Sequence, residues 1–404
     1  MKKASFLIAF IALLLSSCCC KENALTVQVN NPSALDRERE SIEIELDAIN
    51  NALGIKNDTT SRFVVFDAQG QEIPSQLILS STPATLLFQA TVKAGDSCTF
   101  TIKTGQPTPY ESMVQTTFMP RRLDDMSWEN DKVSFRAYGP ALAKDPQQGM
   151  VSGGLDIWVK RTSKLVTQQW YQDEFDGKSS YHNDNGEGLD FYSVGKTLGA
   201  GSLAPFIEGK LWLVGNNFVS YKILENGPIR TTFVLEYEAY DCNSKALSET
   251  RTISLDAGSH LNKFSVLYKG NDGEVIPVAA GFPFRGFEQK KPGKKELHSI
   301  DDCNSIAYDK TLGYVAYAEP EHAENGILFL GSLMPEGSDQ ALIGQGHVLN
   351  SSQATIGKEF VYYSGGGWSK GGFQDLAAWT AYMKDFALKL REPLKVNLKA
   401  ACVN

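Results

Sequence analysis

Reactive side chains concentrate in one short stretch, Tyr181-His-Asn-Asp-Asn-Gly-Glu-Gly-Leu-Asp-Phe-Tyr192, which is denser in them than any other part of the chain. Gly186 and Gly188 allow backbone angles barred to other residues, so the segment is expected to fold into a tight loop that gathers His182, Asp184, Glu187 and Asp190. An imidazole titrates near neutral pH, which makes His182 the candidate general acid or base. Glu187 and Asp190 are the candidate carboxylate pair of a glycoside-cleaving site, with Glu187 the better acid or base because Asp more often caps turns. Tyr181 is expected to assist catalysis, and Asp184 and Tyr192 to contact substrate. The other use of such a loop is a hard cation such as calcium, but no glutamate closes the segment at EF-hand spacing.

Two arginines lie beside aromatic residues, Arg136 in Phe135-Arg-Ala-Tyr138 and Arg285 in Phe282-Pro-Phe-Arg285. A guanidinium can clamp a uronate carboxylate through two parallel bonds, so both are candidate substrate ligands, against the alternative of stacking or pairing within a sheet. Trp368, with Trp128 and Trp170, is a candidate platform for a sugar ring, although tryptophan in a sandwich is more often core. His347 is a candidate second imidazole; His260, His298 and His322 read as structural. There is no P-loop, dinucleotide fingerprint, catalytic-triad motif or metal-ligand cysteine spacing, so neither cofactor nor metal is expected.

These groups need a scaffold, and the pattern around them is mostly β. Runs such as Leu25-Thr-Val-Gln-Val29, Ile42-Glu-Ile-Glu-Leu46 and Leu87-Leu-Phe-Gln-Ala-Thr-Val92 alternate with period two, which predicts a small N-terminal β-sandwich over residues 18–105. Gly105-Gln-Pro-Thr-Pro109 interrupts the pattern, and residues 106–120 are expected to be a linker. Over 121–404 longer strands dominate, among them Leu155-Asp-Ile-Trp-Val159, Ile229-Arg-Thr-Thr-Phe-Val-Leu-Glu-Tyr237 and Glu249-Thr-Arg-Thr-Ile-Ser-Leu255, which predicts a large antiparallel sandwich. Leu342-Ile-Gly-Gln-Gly-His-Val-Leu349 also reads as strand. One helix stands out, since Leu376, Trp379, Met383, Phe386 and Leu390 recur every three or four residues before Pro393.

The N-terminus has the order of a secretory leader: Met1-Lys-Lys3, an apolar run from Phe6, then Leu15-Ser-Ser-Cys18. Leu-Ser-Ser-Cys matches the bacterial lipobox, so residues 1–17 are expected to be removed and Cys18 lipidated, giving an exported protein anchored to the cell envelope, periplasmic or surface-facing. The formal net charge of −8 and the lack of a clustered basic face exclude a nucleic-acid partner. Lys290, Lys291, Lys294 and Lys295 sit in a Pro/Gly loop and read as a solvated tip. Cys98, Cys242, Cys303 and Cys402 permit several disulfide pairings, which spacing does not distinguish.

Three pieces taken together resemble one family: Trp128-Glu-Asn-Asp131 leading into Phe135-Arg-Ala-Tyr-Gly-Pro-Ala141, then Tyr181-His182 with Gly186-Glu-Gly-Leu-Asp-Phe-Tyr192, then Asn226-Gly-Pro-Ile-Arg230. They resemble the domain of unknown function 4861 family, exported proteins common in gut Bacteroidetes, and Tyr362-Tyr-Ser-Gly-Gly-Gly-Trp368 extends the likeness over most of the chain. The strand rhythm from Asn226 to Tyr268 is also similar to galactose-mutarotase-like supersandwiches. That resemblance implies a carbohydrate ligand. The expected function is an exported carbohydrate-active enzyme that acts on oligosaccharides, uronic-acid-containing ones included, by elimination, hydrolysis or epimerisation. The alternative is a non-catalytic glycan-binding lipoprotein.

Overall fold

The computed structural model describes residues 23–55, 62–285 and 299–402. The leader, Cys18, His298 and the four lysines of residues 290–295 lie outside the described residues.

Two β units stack along the chain, all of their ladders antiparallel. In the smaller one, a five-stranded sheet (Lys395–Cys402, Asn23–Asn30, Ser97–Thr104, Phe63–Phe66, Glu72–Ile73) faces a three-stranded sheet (Arg37–Glu45, Thr85–Val92, Ser75–Ile78). Alternation puts Leu25, Val27, Ile42, Ile44, Phe88 and Ile102 between the layers, where each is at most 5% exposed. The larger unit is the supersandwich that the strand pattern implied. Its eight-stranded sheet runs from Ser220–Asn226 through Arg230–Cys242, Lys245–Asp256, Leu261–Lys269, Glu359–Trp368, Leu328–Leu333 and Tyr314–Ala318 to Ile306–Asp309. One face packs on two five-stranded sheets and shares a core with them.

On the opposite face of the long sheet lies the helix Leu376–Arg391. Asp375 caps its N-terminus by accepting from the Ala378 amide at 2.8 Å, and Lys389 and Arg391 complement the dipole in its last turn. Its buried stripe is Trp379, Met383 and Ala387, and each large side chain so buried contributes roughly 1.5 to 3 kcal/mol. Glycine is required beneath it, because a Cβ on Gly331 would stand 2.5 Å from the Met383 sulfur.

Three expectations about organisation are corrected. Residues 106–120 are not all linker: Val114–Met119 is the edge strand of a large-unit sheet, paired with Asp125–Asn130. Nor does the large unit run to residue 404, since Lys395–Cys402 returns to pair with Asn23–Asn30 over eight register positions, completing the small sandwich. Leu342 to Leu349 is a hairpin, not one strand; Gln345 and Gly346 take positive φ (51° and 71°) between Gln340–Gly344 and His347–Thr355. Cys98, Cys242 and Cys303 are unpaired thiols.

Candidate functional site

The sheet that carries the site has the order Gly188–Leu189, Leu155–Lys160, Val133–Ala137, Asp125–Asn130, Val114–Met119. Period-two alternation turns Met126, Trp128, Val133, Phe135, Leu155, Ile157 and Leu189 into the common core. The alternate positions, Asp125, Glu129, Arg136, Asp156, Trp158 and Lys160, belong to the other face. That face is not wet: each of these residues is at most 5% exposed. The helix Thr167–Phe175 and the loop after it cover them, with Tyr171 and Tyr181 packed on Trp158. Charges so enclosed must pair.

Two ionic knots do this. Lys160 donates to Glu129 at 2.7 Å, and the Glu129 carboxylate also accepts from the Val166 and Thr167 amides at 3.0 and 2.8 Å, tying down the start of the covering helix. The second knot centres on Arg136, which sits opposite Asp156 in the hairpin register. One guanidinium nitrogen, Nη2, donates both to Asp156 and, at 3.1 Å, to Asp190 Oδ2. Its Nε lies 4.0 Å from Asp125 Oδ2. Burial pushes Asp125 up to about 6, although Arg136 and Arg122 pull the other way. Asp190 is raised well above the ordinary carboxylate range by burial and by the negative charge of Asp156, against the pull of Arg136.

His182 is the surface outlet of this knot. Its Nδ1 lies 2.9 Å from the Asp190 carbonyl oxygen and 3.6 Å from Asp190 Oδ2, while the side chain is 56% exposed. A carbonyl only accepts, so Nδ1 carries the proton and the neutral ring keeps a lone pair on Nε2. The imidazole rests against Tyr181, 4.4 Å between ring centres. Gly188 makes the loop's approach feasible: its φ is 135°, and a Cβ there would stand 2.0 Å from the Val159 carbonyl oxygen.

The remaining predicted residues do not converge on His182 as expected. Glu187 turns to the neighbouring surface turn and pairs with Lys164 at 2.9 Å. Asp184 pairs with Arg161 at 2.8 Å and accepts from the Gly186 amide, so it orders the loop. Both acids thus face cations of the neighbouring turn. Arg136 is buried and held by the carboxylates of Asp156 and Asp190, so it is not free to clamp a substrate. Tyr181 is 6% exposed, stacked on Trp158, and its hydroxyl accepts from Arg122 Nε at 3.3 Å; it is a packing group, as Asp190 is a buried positioning group. Trp368 is 2% exposed and donates its indole N–H to the Asn325 carbonyl at 2.6 Å, so it offers no open face to a sugar. Trp128 is likewise core, bonded to Asn262.

Two predicted substrate residues do meet, at a second cluster. The Arg285 guanidinium lies 4.6 Å from the Tyr192 ring centre and pairs at 3.0 Å with Glu319, an acid the sequence reading overlooked. Burial raises Glu319 to about 7 despite Arg285. Its Oε1 and the Tyr192 hydroxyl are both enclosed without a hydrogen-bond partner. Tyr192 follows Asp190 by two residues, so the chain itself joins the two clusters into one polar seam. The Arg285 side chain, 30% exposed, is the seam's second outlet to solvent.

The other histidines among the described residues hold turns or sit in the core. His347 accepts from the Leu198 amide at 3.3 Å, and its Nδ1 lies 2.7 Å from the Gln345 carbonyl, which holds a turn. His260 is not a plain turn residue but is boxed by Phe373, Trp379 and Tyr382, where burial lowers it to about 4. His322 accepts amides of its own turn. Among the described residues no group of three His, Cys, Asp or Glu is placed to hold a metal ion.

Known proteins resemble this chain at two levels. In fold, it is similar to an α-mannosidase from Enterococcus faecalis V583 (TM-score 0.50, 11% identity, 94% of this chain and 46% of that one). A glycosyl hydrolase family 38 protein from Enterococcus faecalis aligns comparably (TM-score 0.49, 11% identity, 94% and 47%). The chain thus spans under half the length of either structure. In sequence, it is 30% identical over 434 aligned residues to the uncharacterized protein P7 of Formosa agariphila, across 99% of this chain and 100% of that protein. The model of the domain of unknown function DUF4861 matches residues 29–396, which contain the whole polar seam, and the chain belongs to that family.

Proposed function

We propose that this chain is an exported, lipid-anchored enzyme of the cell envelope that acts on oligosaccharides, with His182 moving the proton. The observation that carries the reading is the exposed imidazole held through Nδ1 by Asp190, above the buried Arg136, Asp156 and Asp190 cluster. This is the arrangement of a general base: Nε2 accepts a proton while the bond from Nδ1–H to the Asp190 carbonyl holds the ring in place. Arg285, partly exposed at the other end of the seam, is the cation that would hold a sugar carboxylate. For a uronate this combination suits elimination, in which a base removes the proton beside the carboxylate while a cation steadies the charge that develops. Hydrolysis and epimerisation would use the same groups.

A sugar as ligand class is supported by the fold shared with an α-mannosidase, a likeness of scaffold rather than of site. Export and anchoring rest on the leader and Cys18.

The test is to incubate the mature protein with uronate-bearing oligosaccharides and follow both ultraviolet absorbance of unsaturated products and new reducing ends. Turnover that falls about 100-fold or more in His182→Ala supports the assignment. Turnover unchanged in that variant removes His182 from the mechanism, and saturable binding without product identifies the non-catalytic alternative.

A further inference from the structure

A cavity of about 340 Å³ opens into the large unit and is lined by none of residues 181–192. Its volume lies at the small end of ligand pockets, the size for a single sugar ring. Its walls are the glycine-bearing turn at Gly153 and Gly154, the segment 196–198, and Leu213 to Gly215, with Arg251 among the residues lining it. Lys196 and Gly215 are exposed and mark the mouth, whereas Arg251 is 1% exposed and forms the floor. Arg251 belongs to the strand Lys245–Asp256, whose buried alternate positions put it inside the sandwich.

The charges lining the cavity are of one sign. Lys196 and Arg251 are cationic and no lining residue is acidic, in a chain whose net charge is −8. Glu249, which pairs with Arg251, is not part of the wall. The Arg251 Nε donates to Glu249 at 2.6 Å, and Nη1 donates to the Gly153 carbonyl at 2.7 Å and Ser202 Oγ at 2.8 Å. These bonds and the Nη2 contact with Glu249 leave one N–H on Nη2. That nitrogen lies 3.4 Å from where a Cβ on Gly153 would stand, so the bare glycine leaves space beside it. No carboxylate among the described residues pairs with Lys196. Leu198, Leu203 and Val214 supply the apolar wall that the C–H face of a sugar requires.

We infer that this cavity is a subsite for one anionic hexose unit, its carboxylate or sulfate held by Lys196 at the mouth and Arg251 at the floor. The inference rests on the oligosaccharide reading for its ligand class, and it is tested by binding alone.

Calorimetry on the mature protein with glucuronate, glucose 6-sulfate and glucose, at low and high salt, is the experiment, repeated with Lys196→Ala and Gly215→Phe. A Cβ on Gly215 would make only an ordinary 3.6 Å contact with Tyr240, so the phenyl group plugs the mouth without straining the backbone. Expected is one site per chain for an anionic sugar, lost in Gly215→Phe, weakened about fivefold in Lys196→Ala and weakened by salt. Whichever of glucuronate and glucose 6-sulfate binds names the anion. Equal binding of glucose, binding indifferent to both substitutions, or no binding of any probe overturns the inference. His182→Ala should bind as the parent does. Binding without turnover therefore leaves this subsite standing while the catalytic reading falls, and His182-dependent turnover without this binding does the reverse.

Discussion

Glu319 offers a quantitative test of the seam. Burial raises its carboxyl from the ordinary 4.5 to about 7, against the pull of Arg285. The folded chain therefore holds a proton through an interval in which the unfolded chain has lost it. Stability contributed by that proton is fully present below about pH 4.5 and is lost as pH rises through about 7. At about 1.4 kcal/mol per unit, the interval corresponds to about 3 kcal/mol. Glu319→Gln keeps the shape of the side chain but cannot ionise. Urea unfolding of parent and variant across this pH range should show the variant gaining about 3 kcal/mol on the parent between the acid and the alkaline end. Asp125, Asp190 and Glu249 also have raised values, but they are common to both proteins and cancel in the difference. Parallel profiles would refute the burial argument. A variant that instead loses ground as pH rises would show that attraction to Arg285 exceeds the cost of burial.

Other outcomes follow from the same contacts. Arg136→Met leaves Asp156 and Asp190 enclosed without their cation, and chemical denaturation should show a loss of about 3 to 5 kcal/mol. Glu187→Gln removes only an exposed pair with Lys164; stability should change by less than about 1 kcal/mol and turnover should stay near that of the parent. Gly188→Ala forces a Cβ to within 2.0 Å of a backbone oxygen at φ 135°, so it should lower the melting temperature and turnover together, because the His182 loop is displaced. In a bacterium that processes lipoproteins, Cys18→Ser should move the protein from the membrane fraction to the soluble one and abolish incorporation of labelled fatty acid.

Strands were legible where one face is wet or where apolar runs are long, as in Ile42 to Glu45 and Arg230 to Tyr237, although Leu46 starts a short helix instead, and the helix Leu376–Arg391 was legible from its stripe. The final strand escaped because its partner, Asn23–Asn30, is more than 360 residues away in sequence, and only that pairing gives Val396 a core to face. His182 and Asp190 were legible as a local pair, being eight residues apart in one glycine-bearing loop. Their supports were not. Asp125, Asp156 and Lys160 alternate with apolar neighbours, a pattern that reads as a solvent face, and the cover of that face is a short, largely polar helix, Thr167–Phe175, whose inner side is only Tyr171 and its aromatic neighbours. Parity also misled. Glu187 and Asp190 look equivalent in the sequence, yet the bridge of Gly188 to Lys160 and Leu189 to Val159 leaves Glu187 at the surface beside Lys164, while Asp190 reaches Arg136 beneath. Glu319 joins Arg285 and Tyr192 only through tertiary packing.

Chemical rescue is the most direct measurement of the central claim that His182, steadied by Asp190, carries the proton. Once the parent's oligosaccharide substrate is in hand, His182→Ala should be nearly inactive, and free imidazole added to it should restore turnover in proportion to its concentration. A His182→Ala protein that turns over substrate as fast as the parent, with no response to imidazole, would contradict the account.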